Sequence, residues 1–114
     1  MASTESPGTI RESFPDDFVF GVATSSWQIE GSSSTRSESI WDRFAKIPGA
    51  IVDGSTGDPA CDHLNRVDED LALISELGVG AYRFSVSWPR FMPGGTGTVA
   101  HSGAGFYDRL IDSL

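Results

Sequence analysis

The chain has 114 residues, enough for one small domain with a core but short of the roughly 200 to 400 residues of a closed (β/α)8 barrel. Sixteen Asp and Glu against eight Lys and Arg leave a formal net charge of −8, which repels nucleic-acid phosphates and anionic membrane surfaces and so excludes both as expected partners. A neutral ligand is compatible with that charge, which otherwise serves solubility.

Met1 to Ser13 is polar, has no basic n-region and no apolar h-region, and shows no periodicity. It reads as a flexible tail over 1–13 rather than a secretory signal, ahead of an ordered domain over 14–114. Residues 18–25 read as a first strand: Phe18, Val19 and Phe20 give way to small residues and then to the polar cluster Trp27-Gln28-Ile29-Glu30. In parallel α/β folds, ligands bind where strands end in this way. The serine-rich segment 31–39 reads as a loop, and Ile40 to Lys46 as a short helix with Ser39 as N-cap. Pro48 to Pro59 is rich in turn dipeptides.

The clearest helix follows. Leu64, Val67, Leu71, Ile74 and Leu77 recur at steps of three and four and form one apolar stripe. Asp62 is the expected N-cap, Gly78 the residue that ends the helix, and Asp68-Glu69-Asp70 a solvated face. A second strand spans about 80–87. Tyr82, Phe84 and Val86 share one face, while Ala81, Arg83, Ser85 and Ser87 share the other. One arginine among small residues suggests a lumen or cleft. Pro89, Pro93 and the turn Gly94-Gly95-Thr96-Gly97 lead to a last helix near Ser102 or Gly103, with Phe106, Tyr107, Leu110, Ile111 and Leu114 at helical spacing. Strand, helix, strand, helix is the order of a parallel sheet with crossover connections.

Several residues invite a chemical reading. On residue type alone, Gln28 suits either loop capping or ligand contact, and Arg83 either a structural ion pair or an anion-holding role. Glu30 reads as a salt-bridge or loop hydrogen-bond carboxylate rather than a catalytic one. Trp27, Trp41 and Trp88 read as core in preference to sugar-stacking platforms. Cys61-Asp62-His63 lacks metal-ligand spacing and reads as helix capping, and His101 as exposed. Gly94 to Gly97 lacks the lysine of a phosphate loop. No cofactor or metal is expected. Cys61 is the only cysteine, so no intrachain disulfide forms and a reducing, cytoplasmic setting is the simpler expectation. No apolar run approaches membrane-spanning length.

Five stretches, in order and in register, carry a family resemblance. Phe18 to Gly31, Ser39-Ile40-Trp41-Asp42, Gly57-Asp58-Pro59-Ala60-Cys61-Asp62-His63, Glu69-Asp70 through to Ser87-Trp88-Pro89-Arg90, and Phe106-Tyr107-Asp108 together resemble the N-terminal portion of the family 1 glycoside hydrolases, the β-glucosidase and β-galactosidase group. The resemblance covers about residues 14–114. It departs from the family pattern between Glu30 and Ile40, where a short serine-rich segment replaces a longer Asp-Gly-x-Gly loop.

The resemblance implies an α/β fold class, the N-terminal portion (about two βα units) of a (β/α)8 TIM barrel. It also implies retaining hydrolysis of terminal β-D-glucosides or β-D-galactosides by two glutamates, one nucleophile and one acid/base. The family's Asn-Glu-Pro and Glu-Asn-Gly motifs do not occur here, so the chain alone carries neither catalytic glutamate and is expected to be inactive, with the C-terminal barrel portion as its missing partner. Gln28 matches the family glutamine that contacts sugar hydroxyls, and Arg83 the arginine that holds the nucleophilic carboxylate. The alternatives are a non-catalytic sugar-binding module and a non-functional truncated product. Two strands with open edges also predict marginal stability or self-association.

Overall fold

A computed structural model describes residues 7–114. Helix α1 (Pro7–Glu12) lies where the sequence predicts an irregular tail; residues 1–6 fall outside the described residues. Pro7 takes the first helical position, where its missing N–H costs nothing. The Arg11 guanidinium sits 5.2 Å from the Phe20 ring centre. Phe14, Phe18 and Phe20 pack ring against ring at 4.7 to 5.4 Å, anchoring this segment at the start of the first strand.

Strands β1 (Gly21–Ala23) and β2 (Ala81–Arg83) pair in parallel, with Gly21 opposite Ala81, Val22 opposite Tyr82 and Ala23 opposite Arg83. Both are shorter than the sequence predicts. Hydrogen bonds from Gly80 N to Phe20 O and from Thr24 N to Arg83 O, each 2.9 Å, close the pair at its two ends. Among the described residues each strand has one neighbour, so each leaves an unpaired edge.

Between the strands run α2 (Ser26–Ile29), a 3-10 turn (Ser33–Thr35), α3 (Ile40–Ala45) and α4 (His63–Glu76). Ser39 caps α3 as expected and completes a capping box: its Oγ accepts from Asp42 N (3.1 Å), while Asp42 Oδ2 accepts from Ser39 N (2.8 Å). Asp62 precedes α4 but does not cap it with its side chain. Its backbone is left-handed (φ 52°), and its Oδ1 accepts from Asn65 Nδ2 at 2.7 Å. The Leu64 N–H at the start of α4 instead donates to Glu30 O at 3.2 Å. The helix ends at Gly78, whose φ of +68° suits glycine.

After β2 come α5 (Trp88–Phe91), a short helix the sequence does not predict, and α6 (His101–Asp112). These two cross tightly. A Cβ built on Gly103 would lie 2.2 Å from Arg90 O, so the contact requires glycine. The core comprises Val67 and Leu71 of α4 with Phe106, Tyr107 and Leu110 of α6; Leu64, Ile74, Tyr82, Phe84 and Phe91 pack against it.

The apolar stripes are only half covered. Leu77, Ile111 and Leu114, expected on buried faces, are exposed. The alternation of β2 breaks after Ser85. Val86 is 44% exposed and Ser87 buried, because Ser87 N turns inward to donate to Tyr107 Oη at 2.7 Å. The radius of gyration, 17.6 Å, exceeds the about 13 Å of a compact domain of this length.

Candidate active-site wall

β1 delivers the chain directly into the site. Thr24 is held by Arg83 O through its N–H and by the Tyr82 hydroxyl, 2.6 Å from its Oγ1. Ser26 N donates to Ser85 Oγ at 2.8 Å. These bonds stitch the turn after β1 to the end of β2. They fix α2, which carries Gln28, at the C-terminal end of the parallel pair, where Arg83 is the last residue of β2.

Paired residues of a parallel sheet share a face. Val22 and Tyr82 point toward the helices and are partly buried. Ala23 and Arg83 point away from the packed core and are exposed, as is Gln28. The structure therefore brings Gln28 and Arg83 to one end of the sheet, with Arg83 on the open face. A carboxamide there can both donate to and accept from hydroxyls, and a guanidinium can hold an anion.

Glu30 is not part of that open surface. It is 3% exposed and points inward, where Arg90, 4% exposed, meets it with Nε to Oε1 at 2.9 Å. Tyr107 donates its hydroxyl proton to Glu30 Oε2. The other Arg90 nitrogens donate to Thr35 Oγ1 (2.6 Å) and Gly31 O (3.1 Å). Burial, and then the hydrogen bond to Glu30, pushes the Tyr107 phenol well above its ordinary range. The ion-pair reading of Glu30 holds. Sequence alone assigns no role to Arg90 or Tyr107; an arginine directly after Trp-Pro and a tyrosine on an apolar helix face are the signals that point to them.

The serine-rich segment after Glu30 is firmly tied down. Ser33 N donates to Asp58 Oδ1 at 3.0 Å, and Ser33 Oγ bonds the same carboxylate, which lowers the Asp58 pKa. Arg36 forms a two-point ion pair with Asp42. That bond holds the Asp42 carboxyl far below the usual carboxylate range and raises the Arg36 pKa.

Asp42 also accepts from Trp27 Nε1 at 3.3 Å. The other two tryptophans depart from the core expectation: Trp41 is 52% and Trp88 50% exposed, and with Trp27 and Val86 they line a groove of about 370 Å³. Trp88 Nε1 is anchored to Gly95 O at 2.9 Å.

Asp68 and Glu69 are exposed as expected, but Asp70 turns to His63, with Oδ2 2.7 Å from Nδ1. His101 is exposed. Among the described residues no three His, Cys, Asp or Glu side chains converge on a metal position, and no helix is long and apolar enough to cross a membrane.

The sequence profile of glycosyl hydrolase family 1 matches residues 10–114. The chain belongs to glycosyl hydrolase family 1. It is 55% identical over 108 residues to a beta-glucosidase of Agrobacterium sp., a match that covers 93% of this chain and 24% of that protein. It is 53% identical over 111 residues to beta-glucosidase 42 of Arabidopsis thaliana, covering 95% of this chain and 23% of that one.

Among solved structures, the beta-glucosidase of Thermotoga maritima in complex with deoxynojirimycin superposes with a TM-score of 0.83 at 54% identity, over 89% of this chain and 24% of that one. The chain thus spans about a quarter of the length of the family 1 relatives it matches. Its two βα units correspond to the N-terminal portion of their (β/α)8 barrel.

Proposed function

We propose that these residues form the first wall of the active site of a retaining β-glycosidase acting on terminal β-D-glucosides or β-D-galactosides. The observation that supports this best is the placement of Gln28 and Arg83 at the C-terminal end of one parallel strand pair, with Arg83 on the face turned away from the helices. Gln28 hydrogen-bonds the sugar hydroxyls. Arg83 keeps the nucleophilic carboxylate ionised and oriented. The nucleophile and the acid/base belong to the family's Glu-Asn-Gly and Asn-Glu-Pro segments, which these residues do not contain, and Glu30 is committed to Arg90 and Tyr107. The substrate is a β-linked oligosaccharide or an aryl or alkyl β-glycoside, and the setting is cytoplasmic.

A chimera tests the proposal. Residues 10–114 replace the matching segment of Thermotoga maritima beta-glucosidase A. The chimera is expected to hydrolyse an aryl β-glucoside, while the 114-residue chain alone gives no turnover above blank. In the chimera, Gln28→Ala costs about 10- to 100-fold in kcat/KM, the scale of one or two lost hydrogen bonds to substrate. A folded chimera without activity, or full activity in both Gln28→Ala and Arg83→Met, rejects the assignment.

A further inference from the structure

A small cavity of about 10 Å³ lies beneath α2, between the sheet and helices α4 and α6. Thr24, Glu30, His63, Tyr82, Ser85 and Tyr107 contribute to its lining. Most polar atoms around it already have partners. Thr24 Oγ1 meets Tyr82 Oη, the Glu30 carboxylate meets Arg90 and Tyr107, and Ser85 Oγ accepts from Ser26 N.

His63 is different. It is 3% exposed, its Nδ1 is bonded to Asp70, and its Nε2 is buried with no hydrogen-bond partner among the described residues. A carboxylate only accepts, so Nδ1 carries a proton and Nε2 is the ring nitrogen left over. Left without a partner, that buried nitrogen keeps its full desolvation cost.

We infer that the cavity is a binding site for a single water molecule, held by a hydrogen bond to His63 Nε2. The size matches, because about 10 to 15 Å³ is the least that accommodates one water. The chemistry also matches. The site needs a small neutral guest that hydrogen-bonds Nε2 and still finds a second partner, and a water can donate or accept as required while the hydroxyls of Thr24, Tyr82 and Ser85 keep lone pairs free. Bound there, the water ties α4 to the end of β2 and adds to the Leu64 N to Glu30 O bond that joins α4 to the segment after Gln28.

Two measurements on the 114-residue chain test this. A crystal structure of the unmodified chain, at a resolution that places ordered waters, is expected to show density about 2.7 to 3.2 Å from Nε2. Oxygen-17 relaxation dispersion detects long-lived water molecules and ignores exchanging hydroxyl protons. It is expected to lose the amplitude of one water in His63→Phe, which keeps a ring but has no hydrogen-bonding nitrogen. Equal amplitudes in the two proteins, or a protein atom instead of water against Nε2, overturns the inference. If His63→Phe does not fold, the density around Nε2 in the unmodified chain decides alone.

Discussion

Glu30 and Arg90 stand sixty residues apart in sequence and meet as a buried ion pair at 2.9 Å. The pair joins the turn after β1 to α5, and Tyr107 extends it into α6. Removing one member of a buried pair strands a charge in a dry environment, at a cost of about 3–5 kcal/mol. In the chimera, Arg90→Met and Glu30→Gln are each expected to lower stability toward urea by amounts of that order. The double variant is expected to lose less than the sum, because neither charge is then left alone. Additive losses would show that the two side chains do not work as a unit.

Tyr107 gives the fold an alkaline limit. Its phenol is a raised-pKa group in the folded state, so the folded chain favours the neutral form. The resulting stability is fully present below about pH 10, the ordinary tyrosine value, and is lost as the pH rises toward the folded-state value. Tyr107→Phe is expected to be less stable at neutral pH, through the lost bonds to Glu30 and Ser87 N, but to show a flatter decline above pH 10. Far-ultraviolet circular dichroism across that range reads the difference. Parallel alkaline profiles for the two proteins would exclude Tyr107 as the group responsible.

What the sequence showed and what it hid divide along a physical line. Periodicity marks where local burial repeats, so α4 and α6 are readable, as is Ser39 as the N-cap of α3; the reciprocal bond from Ser39 N to Asp42 is not. The strands were placed correctly but too long, because the alternation of Tyr82 and Phe84 runs past the point where Ser87 turns toward Tyr107. The Gln28 and Arg83 positions followed from motif register. The links among Glu30, Arg90 and Tyr107, and between His63 and Asp70, were not legible: they depend on which side chains tertiary packing turns inward, and no local pattern encodes that. The half-exposed Trp41 and Trp88 show the converse. Residue type favours burial, but in this chain nothing among the described residues covers those rings.

Gly103 is the tightest point between α5 and α6. The carbonyl of Arg90 occupies the place where a side chain would begin, and Arg90 O belongs to the same residue that anchors Glu30. Gly103→Ala is expected to push α6 away from α5 and cost about 1–3 kcal/mol, the usual range for forcing extra atoms into a packed contact. Gly105→Ala on the same helix meets nothing within 4 Å and is expected to be neutral or slightly stabilising, since alanine favours helix over glycine. Thermal melts of the two variants, each made in the chimera, separate steric overlap from helix propensity. Equal destabilisation of both would remove the steric explanation.

The two-stranded sheet has consequences for the chain in isolation. Both strands offer unpaired N–H and C=O groups along an edge, a template for further pairing. Leu73, Leu77, Ile111 and Leu114 leave apolar surface exposed, and among the described residues the buried core is limited to five hydrophobic side chains. The chain is therefore expected to self-associate at micromolar concentration and to unfold over a broad temperature range. Replacing Leu73, Leu77 and Ile111 with Lys is expected to shift sedimentation toward monomer, because charge on an exposed apolar face opposes pairing without touching the core. A monomeric unmodified chain with a sharp cooperative transition would mean that the α4–α6 core suffices without further cover.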